Sequence, residues 1–164
     1  MKRIVLIASC ALLAGCVSRA YVPSGYSLSA YSGTAFSVQG RVWVQNATPS
    51  KVEKLGTFLH SDLRDWGRQL AYGLEHSLKT KGAVIDRRAR KRISVQVTHA
   101  KVKNKILKYT AYTECVVTLG NGHSEKVTAY HSAQVDRDAC SGLMPVVIDR
   151  ILSNPAIVTY LSSV

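Results

Sequence analysis

The sequence predicts an α+β fold: a small two-layer sandwich in which helices lie on one face of a mainly antiparallel sheet of roughly four to five strands. Three observations carry this expectation. Apolar and polar residues alternate at 41–46, 93–98 and 109–135, the period of half-buried strands. Apolar residues step by threes and fours from Leu59 to Leu78 and again beyond Leu143, the period of helices. Gly120-Asn121-Gly122 joins the two longest strand segments as a hairpin.

Taken in order, the elements read β-α-(β)-β-β-β-α. Val42 and Val44, with Trp43 between them, place a strand from Arg41 to Asn46, closed by the turn-prone Ala47-Thr48-Pro49-Ser50. In the first helix Leu59, Leu63, Trp66, Leu70, Leu74 and Leu78 share one face, while Arg64, Asp65, Arg68, Gln69, Glu75 and Lys79 take the other. Gly82 stops it. A brief strand at Ala83 to Ile85 precedes a strand at 93–98, where Ile93, Val95 and Val97 point inward. The hairpin pairs Tyr109 to Leu119 with His123 to Val135. Bringing Ala111, Cys115, Val117 and Leu119 onto the same face as Val127, Ala129, Ala133 and Val135 requires a three-residue loop and sets Cys115 opposite Val127. A helix from Leu143 to Leu152 follows, with Pro145 in its first turn. Asn154 then caps a last short helix that Pro155 opens and that runs through Leu161.

The first residues point to an address. Lys2 and Arg3 precede an apolar run from Ile4 to Leu13, too short for the roughly 20 residues that span a bilayer, and small residues follow. Leu13-Ala14-Gly15-Cys16 resembles the lipobox of bacterial lipoproteins. The resemblance implies cleavage before Cys16 and several acyl chains on it, enough for stable anchoring where one chain alone is marginal. Val17 in place of an aspartate implies an outer-membrane lipoprotein facing the periplasm. The expected organisation is therefore a signal peptide at 1–15, a lipidated Cys16 with a flexible tether to 38, and one domain at 39–164. The Ser, Gly and Tyr content of 17–38, with Tyr21, Tyr26 and Tyr31 at intervals of five, carries no sustained period. The element order resembles that of small periplasmic lipoproteins which assist envelope machines.

Charge bounds the partners. The 164-residue chain has a formal charge of +12, and removal of Lys2 and Arg3 leaves 12 − 2 = +10. Such a surplus favours polyanions. In the envelope these are lipopolysaccharide phosphates, anionic headgroups, cell-wall acids or an acidic protein; nucleic acid is excluded by the address. Arg87, Arg88, Arg90, Lys91, Arg92, Lys101, Lys103, Lys105 and Lys108 lie within 87–108, a segment without Asp or Glu. Arginine forks grip phosphate or carboxylate in pairs, and lysines add point charge. These nine are the candidate anion- or partner-binding residues, expected in two clusters at opposite ends of the 93–98 strand.

No catalytic or cofactor motif is present, and neither a cofactor nor a metal is expected. His60 and His76, sixteen residues apart, stand about 24 Å apart on a helix and cannot share an ion. His131 lies four residues along the sheet from Cys115, about 13 Å, too far for a thiol–imidazole dyad. In an oxidising compartment Cys115 and Cys140 form a candidate disulfide. The reading is a non-catalytic, lipid-anchored module that binds an anionic envelope component or an assembly partner. Its alternatives are a structural subunit of a secretion, pilus or efflux complex and a cell-wall or lipid-acting enzyme.

Overall fold

A computed structural model describes residues 19–24, 35–57 and 59–163. The export segment, Cys16, Tyr26 and Tyr31 lie outside them. In chain order the elements are β1 (Arg19–Ala20), β2 (Arg41–Asn46), β3 (Val52–Lys54), β4 (Leu59–Asp62), α1 (Leu63–Thr80), β5 (Val84–Ile85), β6 (Lys91–Lys105), β7 (Lys108–Leu119), β8 (Ser124–Ala133), α2 (Asp136–Leu152) and α3 (Pro155–Ser162). The fold is α+β, as the sequence predicts.

The main sheet has the order β5-β2-β6-β7-β8. It is mainly antiparallel, as expected, but not purely so. The segment carrying α1 separates β2 from β5 and β6, the long crossover that parallel pairing needs, and β2 is parallel to both. The pairs β6–β7 and β7–β8 are antiparallel. In the second pair Cys115 faces Val127, the register derived from the buried faces. One face of this sheet packs on α1 and α2 through Ile93, Val95, Cys115, Val117, Trp66, Leu70, Leu143, Met144 and Ile151, all essentially solvent-free.

Three boundaries differ from the sequence reading. Leu59 belongs to β4, because Asp62 ends that strand and caps α1 through a bond from Arg64 N at 2.9 Å. Strand β6 runs on to Lys105 because a bulge between Val97 and His99 shifts the buried positions from odd numbers to Ala100 and Val102. A single alternation therefore stops matching at 98. Helix α2 starts at Asp136, so Pro145 is inside it. The ring removes the bond to residue 141. The Ser141 hydroxyl lies 2.7 Å from that of Tyr21.

A second small sheet, β1-β4-β3, ties the N-terminal residues to the domain. Arg19 pairs with Leu59 and Ala20 with His60, in parallel. Tyr21 is 9% exposed; its N–H donates to His60 O at 2.9 Å and its hydroxyl to Arg137 O at 3.1 Å. Residues 19–23 and Val38, 3% exposed, are thus docked rather than part of a free tether from 16 to 38.

Strand β3 grips β6 at the bulge through Glu53. Its carboxylate accepts from Lys51 Nζ at 2.7 Å and from Ala100 N at 3.1 Å, and contacts His99 Nδ1 at 3.1 Å. Burial alone raises the Glu53 pKa, but these three partners outweigh it and hold the carboxyl below its ordinary range. A depressed carboxyl stabilises the fold above its ordinary pKa, and that stability is lost as pH falls through the folded value. Glu53→Gln should therefore cost about 1–3 kcal/mol at neutral pH. The cost should shrink in acid, where the wild-type carboxyl is itself protonated; urea unfolding at both pH values checks this.

Candidate functional site

The basic segment folds into two separate clusters. The first sits on the loop between β5 and β6. Asp86 builds this loop: its N–H donates to Val42 O and its carbonyl accepts from Ala89 N, each at 3.0 Å. Its carboxylate accepts from Arg88 N at 2.9 Å and from the Arg41 guanidinium at 2.8 Å. These bonds, the Arg88 N–H first and Arg41 next, hold the Asp86 carboxyl below its usual range. With Ala89 buried at 4% exposure, the loop is fixed to the domain while Arg87, Arg88 and Arg90 project into solvent. Arg88, Arg90 and Arg41 line an open cleft with Gln39, Gly40 and Lys91.

The nine candidates are not equivalent. Lys91 Nζ donates to Leu161 O at 3.1 Å, to Gln39 O at 3.2 Å and to Ser163 O, so it caps the last carbonyls of α3. Arg92 lies over the Trp43 ring, 5.0 Å from its centroid, and its Nε donates to Ala89 O at 3.4 Å. Both hold the scaffold. Among the described residues the side chains of Arg87, Arg88 and Arg90 make no hydrogen bond or ion pair, although the Asp86 carboxylate attracts Arg88 through space, which leaves their forks open to an anion. Arg41 was missed by sequence reasoning: it reaches the cleft only because β2 and β5 pair in parallel, with Arg41 beside Val84.

The second cluster lies at the far end of β6. Lys101, Lys103, Lys105 and Lys108 are exposed around the turn into β7. Nine residue steps along the strand separate Arg92 from Lys101, about 30 Å at 3.3 Å each. That is several Debye lengths at physiological salt. The clusters do lie at opposite ends, as expected, and act as two surfaces.

Cys115 and Cys140, the expected bridged pair, are free thiols. One faces inward from β7 and the other from α2, both 0% exposed within the apolar core. Burial pushes the pKa of Cys115 up to about 12, and burial with a smaller contribution from Asp136 pushes that of Cys140 up to about 12. Neither is a nucleophile in this state. Iodoacetamide should leave both unmodified in the native protein and modify both within minutes after denaturation without reductant, as peptide mass spectrometry reads. His131 pairs with Ala111, four positions from Cys115, so the dyad excluded from the sequence is absent here too. Among the described residues no group of three or more His, Cys, Asp or Glu could hold a metal ion. None of their helices is long and apolar enough to cross a membrane.

No protein-family model matches the sequence. No curated protein matches it either. Solved structures are similar in fold. Protein XCC0632 from Xanthomonas campestris, described under the family designation DUF330, aligns at 12% identity with a TM-score of 0.53, over 87% of this chain and 94% of its own. The hypothetical protein CT253 from Chlamydia trachomatis aligns at 9% identity and 0.49, over 77% and 98%. PelC from Paraburkholderia phytofirmans aligns at 17% identity and 0.42, over 80% and 92%. The first of these shares the fold of this chain, an α+β domain.

Proposed function

We propose that this chain is a non-catalytic envelope lipoprotein, held on the outer membrane by lipid on Cys16, whose arginine cleft binds an anionic component of the envelope. The observation that carries the reading is the set of three exposed guanidiniums without a hydrogen-bond partner, Arg87, Arg88 and Arg90, on a loop that Asp86 fixes. Arg88 and Arg90 line one cleft with Arg41 and Asp86, Arg87 is exposed beside it on the same loop, and such forks suit a group with several oxygens, such as a phosphate or a carboxylate pair. The lipobox resemblance supplies the address, and the charge of +10 without the first fifteen residues suits a polyanionic neighbour.

Immobilised mature protein incubated with envelope extract tests this directly. Lipopolysaccharide or wall fragments should be retained by the wild type and lost from the Arg87→Gln, Arg88→Gln, Arg90→Gln variant. Retention of one defined protein by both would favour the structural-subunit reading instead.

A further inference from the structure

The β6–β7 turn is the most exposed apolar feature of the described residues: Ile106 is 94% exposed and Leu107 90%. Two-residue hairpin turns ordinarily use Gly, Asn or Asp where the backbone turns left-handed. Here Leu107 occupies that position at φ 69°, a conformation that costs a non-glycine residue free energy. Turn formation does not explain an apolar side chain there, so its value lies in what it touches.

The surroundings of the tip narrow the choice of partner. Lys105 and Lys108 face each other directly across the turn, a like-charge pairing that destabilises a hairpin. Lys101 and Lys103 follow along the same strand, and among the described residues none of the four makes an ion pair. A second copy of the chain would bring lysine against lysine. A flat protein interface would want apolar surface around the two side chains, and they have cations instead. Apolar residues on a narrow protrusion ringed by long cationic side chains suit a bilayer: the tip enters the acyl boundary and the lysines extend to headgroup phosphates.

The fold aims this tip toward the anchor. The N–H of Val102, four residues before Ile106, donates to Leu55 O, which ties β3 to the tip half of β6. Leu55 in turn bonds to Leu59, the first residue of β4, and Leu59 lines one crevice with Asn104 and Tyr109. Strand β1 is parallel to β4, with Arg19 beside Leu59, so the chain enters the domain at the tip end. Cys16 precedes Arg19 by three residues, a reach of at most about 11 Å.

We propose that the Ile106–Leu107 tip, with Lys101, Lys103, Lys105 and Lys108 around it, inserts into the anionic phospholipid leaflet that carries the anchor. This inference rests on the lipid-anchor reading, and it orients the domain with the arginine cleft pointing away from the membrane.

The test uses the purified lipidated protein in vesicles of phosphatidylethanolamine with phosphatidylglycerol, or with phosphatidylcholine as the neutral control. An environment-sensitive fluorophore on Ile106→Cys labels selectively, because the native thiols are buried. Its emission should shift to the blue and be quenched severalfold by nitroxide on the lipid chains in anionic vesicles, and far less in neutral ones. The same label on Arg90→Cys should stay in water. Changing the four lysines to Gln should abolish the quenching, and Leu107→Gly, which suits the left-handed backbone and folds at least as stably, should weaken it. Equal exposure of the labelled tip to water with and without anionic lipid would overturn the proposal. So would insertion that ignores the lysine changes, or protection that appears only when envelope proteins are added. Failure of the protein to float with any vesicle would refute the lipid anchor itself, a result separable from the behaviour of the tip.

Discussion

Cys16→Ser should convert the protein from a membrane-bound form that resists high salt into an unlipidated precursor or a soluble periplasmic form. The expected effect is close to all-or-none. Each methylene buried in a bilayer contributes about 0.8 kcal/mol, so several acyl chains outweigh any contact that the domain makes for itself. Residual association of the variant should be confined to low ionic strength, where the lysine tip still meets anionic headgroups, and should vanish in about 1 M salt as the Debye length falls to about 3 Å. Fractionation with fatty-acid labelling reads the result. A variant that stays with membranes in high salt and still carries acyl label would remove Cys16 as the attachment point.

The second large effect is expected at the arginine cleft. Arg87→Gln, Arg88→Gln and Arg90→Gln together should lower affinity for the anionic ligand by a factor on the order of 100 or more, since hydrogen bonds to charged groups contribute about 1.5–3 kcal/mol each. Thermal stability should be almost unchanged, because exposed charges that pair with nothing contribute little to folding. Arg92 is left in place on purpose: it stacks on Trp43, and its loss would disturb the scaffold. Changing Lys101, Lys103, Lys105 and Lys108 to Gln should leave this affinity intact. Those residues lie about 30 Å or more along β6, beyond the range of unscreened attraction.

Much of the fold was legible in the residues because the pattern and the packing obey the same rules. Strand β2 was placed at its observed bounds, the β7–β8 register followed from matching two buried faces, and Asn154 caps α3 as its position before Pro155 suggests. The departures have local causes. Leu59 sits four residues before Leu63 and so mimics a helical step, but Asp62 stands between them as a cap. The bulge after Val97 changes the phase of burial and hid half of β6. Parallel pairing of β2 leaves no mark in a single strand, and neither does the docking of β1 beside β4.

The site was legible as charge and illegible as geometry. A run of nine basic residues is visible in the letters, but which of them are free is decided by remote partners: α3 consumes Lys91, and Trp43 covers Arg92. The apolar pair Ile106 and Leu107 sat inside the basic segment without a turn residue to announce it. Only its exposure in the fold separates it from an ordinary buried pair.

The most direct measurement of the central claim is a salt titration of binding between the lipidated protein and purified lipopolysaccharide or soluble wall fragments, made with the wild type and the triple arginine variant. Wild-type affinity should fall steeply as salt rises, linearly on logarithmic axes where counterions are released, and the variant should lose most of both the affinity and the slope. Affinity that is indifferent to salt, or equal in the two proteins, would contradict an anion-binding arginine cleft.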